Sequence, residues 1–213
     1  MTDSYRHKGL RKRLIDSLRD KGIENEDVLS AMMNVPRHYF MAKGFEERAY
    51  QDSAFPIAAD QTISQPYTVA FQTSLLEIKS GDKVLEVGTG SGYQAAVLLE
   101  AGTKLFTVER HKVLFKSSQL LLKQLGYFPY SYYGDGYKGL PTYAPFDKIL
   151  ITAGASSIPE TLLKQLKIGG IMVVPTGSRH SQDMLKIIKL SDDDYKIENH
   201  GKFVFVPMLK GKE

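Results

Sequence analysis

Val84-Leu85-Glu86-Val87-Gly88-Thr89-Gly90-Ser91-Gly92-Tyr93 is the stretch on which the reading of the whole chain turns. Val84 to Val87 read as a short buried strand. Glycine then recurs at every second position, Gly88, Gly90 and Gly92, and an alanine- and leucine-rich helix follows at once. Glycine is needed where the backbone takes angles that side chains resist, or where it comes close to a ligand. A strand that ends in a glycine turn and enters a helix turns backbone N–H groups toward the sheet's C-terminal edge. The stretch is therefore read as the cradle of a nucleoside-containing molecule.

Spacing narrows the choice of nucleoside. The dinucleotide fingerprint puts its third glycine five positions after the first. Here that position is Tyr93, and the third glycine comes one residue early, at Gly92. A phosphate-cradling loop ends in Gly-Lys-Ser/Thr, and no lysine lies between Lys83 and Lys104. Glu86-Val87-Gly88-Thr89-Gly90-Ser91-Gly92 instead resembles motif I of the S-adenosylmethionine-dependent methyltransferases, whose ligand carries no phosphate. A tight strand-to-helix turn without a ligand is the plain alternative.

Composition sets the frame. A chain of 213 residues, 42% hydrophobic, is long for one domain and short for two, and it can bury a sizeable core. The absence of cysteine excludes disulfides, thiolate zinc sites and cysteine nucleophiles. His7, His38, His111, His180 and His200 are scattered without ligand spacing, so no metal is expected. Met1 to Arg13 is charged and no apolar run is long enough to span a bilayer. A soluble, cytoplasmic protein is expected. Net charge is +4, and residues 1–21 alone hold seven Lys/Arg against three Asp/Glu. The remainder is neutral, so the basic leading helix reads as a solvated face rather than a nucleic-acid patch.

Along the chain, Leu10, Leu14, Ile15 and Leu18 recur at helical spacing, and Gly22 ends that helix. Asn25 caps a second helix carrying Val28, Leu29, Met32 and Met33, which Pro36 closes. Residues 1–60 form an N-terminal helical addition packed on the main domain, 61–213. A helix from Pro66 to about Ile78 follows, and Ser64 and Gln65 stand where side chains meet its unpaired N–H groups. Strand and helix then alternate: strand 84–87, helix 94–100, strand 105–108, helix 111–125 with Val113, Leu114, Leu120, Leu121 and Leu125 apolar, strand 130–133, strand 146–151, helix 158–166, a turn at 167–170, and strand 171–174 ended by Pro175. Strands at 183–190 and 202–206 flank the Asp192-Asp193-Asp194 turn as an antiparallel edge hairpin. The fold class is α/β, Rossmann-like and doubly wound, with a mostly parallel seven-stranded sheet.

A parallel sheet takes its ligand outside the carboxyl ends of its strands. Those ends carry Gly88 to Gly92, Glu109, Asp135 with Gly136, and Thr152 to Gly154. Glu109 stands 21 residues after Gly88, where an acidic residue bonds ribose hydroxyls in the dinucleotide fold. Asp135, between two glycines, suits a turn and, beside a nucleoside, an adenine amino group.

Further segments make the likeness specific. Val35-Pro36-Arg37, Gln61-Thr62-Ile63-Ser64-Gln65-Pro66, Val108-Glu109-Arg110, Gly134-Asp135-Gly136, Ala144-Pro145-Phe146-Asp147, Gly169-Gly170 and Phe203-Val204-Phe205-Val206-Pro207-Met208 resemble the protein-L-isoaspartate O-methyltransferase family along nearly the whole chain. The resemblance implies that Ser64 is the active-site serine, which is compatible with a capping role. It implies S-adenosylmethionine contacts from Thr62, Ile63 and Ser64, from Gly88, Thr89, Gly90, Ser91 and Gly92, and from Glu109, Asp135 and Gly136. Where the family often reads Pro-Val-Gly this chain has Pro175-Thr176-Gly177; Thr176 and Gln182 are the matching substrate-side positions. The implied acceptors are isoaspartyl residues of damaged proteins and peptides. The competing readings are a nucleic-acid methyltransferase on the same fold, a non-catalytic S-adenosylmethionine-binding module, and a nicotinamide dehydrogenase, which Tyr93 disfavours.

Overall fold

The computed structural model of the chain describes residues 2–42 and 44–213; Met1 and Lys43 of the expected addition 1–60 lie outside them. Helix α1 (Tyr5–Asp20) starts at Ser4, whose hydroxyl accepts from the His7 N–H at 3.3 Å. Helix α2 (Glu26–Asn34) starts at Asn25, with Glu26 and Asp27 in its positively polarised first turn. Two 3-10 turns follow, Arg37–Phe40 and Glu46–Arg48. Strands β1 (Phe55–Pro56) and β2 (Thr62–Ile63) form a small antiparallel pair, from which α3 (Pro66–Leu75) departs. The alternating part runs β3 (Lys83–Val87), α4 (Tyr93–Glu100), β4 (Lys104–Glu109), α5 (Lys112–Gln124), β5 (Tyr130–Tyr133), β6 (Phe146–Ile151), α6 (Glu160–Leu163), β7 (Leu166–Ser178), β8 (Ser181–Lys189) and β9 (Tyr195–Phe203).

The main sheet has seven strands in the order β5-β4-β3-β6-β7-β8-β9. The first five in that order are parallel, and β8 and β9 run antiparallel at one edge. This is the mostly parallel, doubly wound sheet read from the sequence. Strand β3 has β4 on one side and β6 on the other, so the chain's crossovers diverge between β3 and β6. An open α/β sheet takes its ligand at that switch point.

The two faces are covered differently. Leu14, Leu18, Leu29 and Met32 of the first two helices join Val69, Val97 and Leu122 over sheet residues such as Val84, Leu105 and Leu150. The leading helices therefore share one core with the sheet. The other face carries the single turn α6 and two 3-10 turns, Gly136–Lys138 and Pro141–Tyr143. Aromatic rings fill what longer helices would have covered: Phe106 stacks on Tyr130 with centroids 4.7 Å apart and meets Tyr143 at 5.1 Å, and Tyr132 meets Tyr143 at 5.1 Å.

Arg37 joins the two halves of the helical face. It is fully buried, lies over the Tyr93 ring at 4.8 Å, and donates to the carbonyls of Ala49 at 2.9 Å and Ser53 at 3.5 Å. Burial pulls the guanidinium down to about 10 and pushes the Tyr93 phenol up to about 12. At neutral pH the arginine remains a cation, held by carbonyl dipoles and a ring face rather than by an ion pair.

Five local expectations are corrected. Helix 158–166 is only the turn Glu160–Leu163, because Leu166 is already drawn into the sheet opposite Phe146. The turn at 167–170 is a bulge inside β7, with Gly169 at φ +79. Pro175 does not end β7 but pairs with Met184. The Pro175 carbonyl accepts from the Ala155 N–H at 2.9 Å, so its N–H-less nitrogen also faces away from β8 and no ladder bond is lost. The second hairpin strand is Tyr195–Phe203 rather than 202–206, since this edge strand is polar and carries no apolar run. On α5 the sheet-facing row is Leu114, Ser118 and Leu122, leaving Val113 63% and Leu120 59% exposed. Ser118 sits where the glycine turn approaches: a Cβ on Gly92 would lie 3.4 Å from its Cβ.

The corrected face of α5 is testable by urea unfolding. Leu122→Ala should cost about 2–5 kcal/mol through a core cavity, whereas Leu120→Lys should stay within about 0.5 kcal/mol of the parent. Equal losses would restore the sequence-based face.

Candidate active site

At the C-terminal ends of β3, β4 and β6 lies an open cavity. Its wall combines the Gln61–Ser64 loop, the glycine turn, the β4 end from Val108 to His111, Gly136, Thr152 with Ala153, and the segment Val206–Leu209. The switch point is closed by Thr152, whose Oγ1 donates to the Gly88 carbonyl at 2.6 Å. Gly88 has φ +99, and a Cβ there would stand 2.5 Å from Thr152 Oγ1, so no side chain fits. Gly136 is constrained from another side: its Cβ would fall 2.6 Å from Val87 Cγ1.

Two buried glutamate side chains stand behind the glycine turn, in different settings. Glu109 ends β4 and reaches the cavity; its oxygens accept from the N–H groups of Gly90 and His111, each at 2.9 Å. It thus fixes the glycine turn from the strand-end position that suits ribose hydroxyls. Glu86, within β3, is fully buried and accepts from Thr107 Oγ1 at 2.6 Å; Thr107 in turn meets Thr89 Oγ1 at 2.6 Å. Burial first, then the negative charge of Glu109, pushes the Glu86 carboxyl up to about 8. At neutral pH Glu86 is a carboxylic acid that orders Thr89 through Thr107.

Ser64 lines the same cavity as the glycine turn. The expectation that Ser64 or Gln65 caps α3 is corrected. Gln65 makes no capping bond, and the Tyr67 N–H donates instead to Asp52 Oδ1 at 2.8 Å. Ser64 is left to face the cavity. Thr62 and Ile63, in β2, line it as well, as do Gly88, Thr89, Gly90 and Ser91.

Other expected site residues lie elsewhere or are otherwise engaged. Asp135 is not in the lining; its carboxylate accepts from Tyr137 N–H at 3.0 Å and from Gly211 N–H at 2.9 Å, which clips the C-terminal segment beside the cavity. Arg110 extends that clip through Glu213 at 2.8 Å. Gly92 is at the start of α4, just outside the wall. Gln182 lines a neighbouring cavity with Gly177 and Met208; its amide accepts from the Phe205 N–H at 2.8 Å and donates to the Ser178 carbonyl. Thr176 lines neither cavity, and its buried hydroxyl has no partner among the described residues. Sequence reasoning missed Gln94 and Leu209, and it took Val206, Pro207 and Met208 only as part of a family match. Such positions carry no spacing signal, since a helix flank and a returning tail reach the site through tertiary packing alone. Away from the cavity, Asp3, His7 and His38 come together, but Asp3 pairs with Arg11 at 2.9 Å and the two imidazoles stack at 3.8 Å.

The lining fits S-adenosylmethionine. Ile63, Val69, Val87 and Val108 give an apolar wall, and Glu109 and the turn N–H groups give polar points.

Comparison with known proteins follows the same line. A family model described as protein-L-isoaspartate(D-aspartate) O-methyltransferase matches residues 9–213. A protein-L-isoaspartate O-methyltransferase of Christiangramia forsetii is 55% identical over 213 residues, covering 100% of both chains. The one of Cytophaga hutchinsonii is also 55% identical, over 100% of this chain and 96% of its own. A solved protein-L-isoaspartate O-methyltransferase is 28% identical with a TM-score of 0.84, over 92% of this chain and 65% of that one. A Plasmodium falciparum chain assigned to the same activity and solved with S-adenosyl-L-homocysteine gives a TM-score of 0.82 at 24% identity, a likeness of fold.

The buried carboxyl gives a prediction with a definite sign. Glu86 titrates at about 8 when folded, above its usual 4.5. The folded chain keeps a proton that the unfolded chain releases, so this stabilisation is full below about pH 4.5 and is lost as pH rises through about 8. Glu86→Gln should therefore flatten the fall in unfolding free energy between about pH 5 and about pH 9 by several kcal/mol. Parallel pH profiles for the two proteins in urea titrations would show that Glu86 does not titrate there.

Proposed function

The chain belongs to the protein-L-isoaspartate(D-aspartate) O-methyltransferase family, and from that premise we propose how its residues carry the reaction. The protein is an S-adenosylmethionine-dependent carboxyl methyltransferase that methylates isoaspartyl residues and so starts their repair. The observation that carries the assignment of roles is that Ser64, relieved of helix capping, lines one cavity with the glycine turn and Glu109.

S-adenosylmethionine, when bound, supplies an electrophilic methyl group on its sulfonium. Thr62, Ile63 and the turn Gly88–Ser91 would hold this donor, with Gly92 starting the helix behind it; Glu109 would take the ribose hydroxyls, and Gly136 would meet the adenine edge while Asp135 orders the tail beside it. The acceptor is the free α-carboxylate of the isoaspartyl residue. A carboxylate with an unperturbed pKa of about 3.5 is already ionised at neutral pH, so no general base is needed. Ser64 donates a hydrogen bond to that carboxylate or to its neighbouring carbonyl, which fixes its direction of approach; it is not a nucleophile. Rate then comes from orientation, for which effective molarities reach about 10⁵ M or more. The methyl ester then closes spontaneously to a succinimide: the neighbouring backbone amide nitrogen attacks the ester carbonyl carbon, gives up its proton, and methanol leaves, a closure that needs no residue of the enzyme. Gln182 serves the acceptor side by tying β8 to the returning Phe205 segment, and Thr176 supports the same hairpin from within.

Two narrower readings belong to the proposal. The acceptor is protein or peptide rather than nucleic acid, which the concentration of the net +4 charge in residues 1–21 supports. The location is cytoplasmic; among the described residues no helix is long and apolar enough to cross a membrane.

Labelled methyl transfer to matched isoaspartyl and aspartyl peptides should occur only with the former, and the label should be lost in alkali as an ester is. Ser64→Ala should keep S-adenosylhomocysteine affinity by calorimetry while turnover drops by about 10²-fold; undiminished turnover would remove Ser64 from the reaction. Glu109→Ala should raise the dissociation constant of the same ligand by about tenfold or more, since bonds to a charged acceptor disappear. An unchanged constant would take Glu109 out of the binding site.

A further inference from the structure

Helix α3 begins two residues beyond Ser64, and neither residue ahead of it meets its first free N–H. The acceptor arrives from a separate loop: Asp52 Oδ1 takes the Tyr67 N–H at 2.8 Å. Asp52 Oδ2 faces the Gln65 amide at 3.5 Å and the Lys21 ammonium at 2.6 Å. The Asp52 side chain is only 12% exposed.

The loop that presents Asp52 is itself fixed. Its flanking carbonyls, those of Ala49 and Ser53, are the two acceptors of the buried Arg37 guanidinium. Between Gln65 and Tyr67 stands Pro66, with a fixed φ and no N–H. Residues 65–67 are therefore directed by one carboxylate, and Ser64 is the last link between that anchored start and β2, where Ile63 pairs with Phe55.

The arrangement has an electrostatic side. A helix N-terminus favours an incoming anion, yet Asp52 brings a negative charge to the same place. Lys21, the residue that closes α1, stands against it and cancels it locally.

We propose that Asp52 is a positioning residue for Ser64, setting the direction of the Ser64–Tyr67 turn by capping α3 from a distance, and that Lys21 screens its charge from the acceptor carboxylate. The inference rests on the reading of Ser64 as the group that holds that carboxylate.

The test uses the full chain, steady-state methylation of an isoaspartyl peptide, and separate calorimetric titration with S-adenosylhomocysteine. Asp52→Ala should lower kcat by about tenfold or more while leaving the affinity and stoichiometry of S-adenosylhomocysteine as in the parent. Asp52→Asn keeps an acceptor for the Tyr67 N–H and should restore most of kcat, which a purely charge-based role would not allow. Lys21→Met should raise KM for the peptide severalfold with kcat kept, and Lys21→Met combined with Asp52→Asn should bring KM back. Parental kcat in Asp52→Ala, an Asp52→Asn as slow as Asp52→Ala, or a loss that merely follows the number of S-adenosylhomocysteine sites overturns the positioning role. If Asp52→Ala does not fold, the KM pair still decides: an unmoved KM in Lys21→Met overturns the screening role. Failure of the unmodified enzyme to methylate the peptide would instead remove the underlying reading of Ser64.

Discussion

The 2.6 Å hydrogen bond from Thr152 to the Gly88 carbonyl joins the two central strands where the chain leaves them in opposite directions. Strand β3 turns there into α4 on one face, and β6 continues toward α6 on the other. Glycine and threonine require each other at this point, because a side chain on Gly88 would occupy the place of the hydroxyl. The rest of the wall is set from this edge. Strand β4 runs beside β3 in register, so Glu109 arrives one residue past Val108, the partner of Val87, and its carboxylate meets the Gly90 N–H. A turn held at both ends keeps its remaining N–H groups oriented before any ligand arrives.

Much of this was legible in the chain, and the limits have physical reasons. Alternating strand and helix signals fixed the sheet class, and glycine spacing identified the turn, because both are local in sequence. Ser64 was located by its neighbours in sequence, but its freedom from capping was not foreseeable. That depends on Asp52, which lies 13 residues before Gln65 and is presented to α3 by a loop whose Ala49 and Ser53 carbonyls Arg37 holds. The stripe on α5 is legible in part: Leu114 is buried and Leu121 and Leu125 pack on the core, but Val113 and Leu120 face out, because a chain of leucines offers two apolar faces and only the sheet chooses between them. The polar strand Tyr195–Phe203 escaped notice for a related reason: one side of an edge strand meets water, so composition resembles that of a loop.

The charges around the cavity are arranged for holding rather than for proton transfer. Glu86 is kept protonated by burial, Glu109 is committed to two backbone N–H groups, and Asp135 to two more. None stands free as a base, which suits a nucleophile that enters already ionised. Arg37 follows the same logic on the helical side: its charge is used up on carbonyls and an aromatic face, and what it delivers is the shape of a loop.

The aromatic filling of the second face also gives the protein an optical signature. The chain has 12 tyrosines and no tryptophan, so its near-ultraviolet absorption, circular dichroism and intrinsic emission come chiefly from phenol rings. Tyr130, Tyr132 and Tyr143 gather around Phe106 on the side of the sheet away from α1–α5, while Tyr50 and Tyr93 lie beside Arg11 and Arg37. The two groups report on opposite layers. Loosening of the face that carries only short turns would therefore show as a change in the first set of chromophores while the second stayed silent, with no dye or label attached.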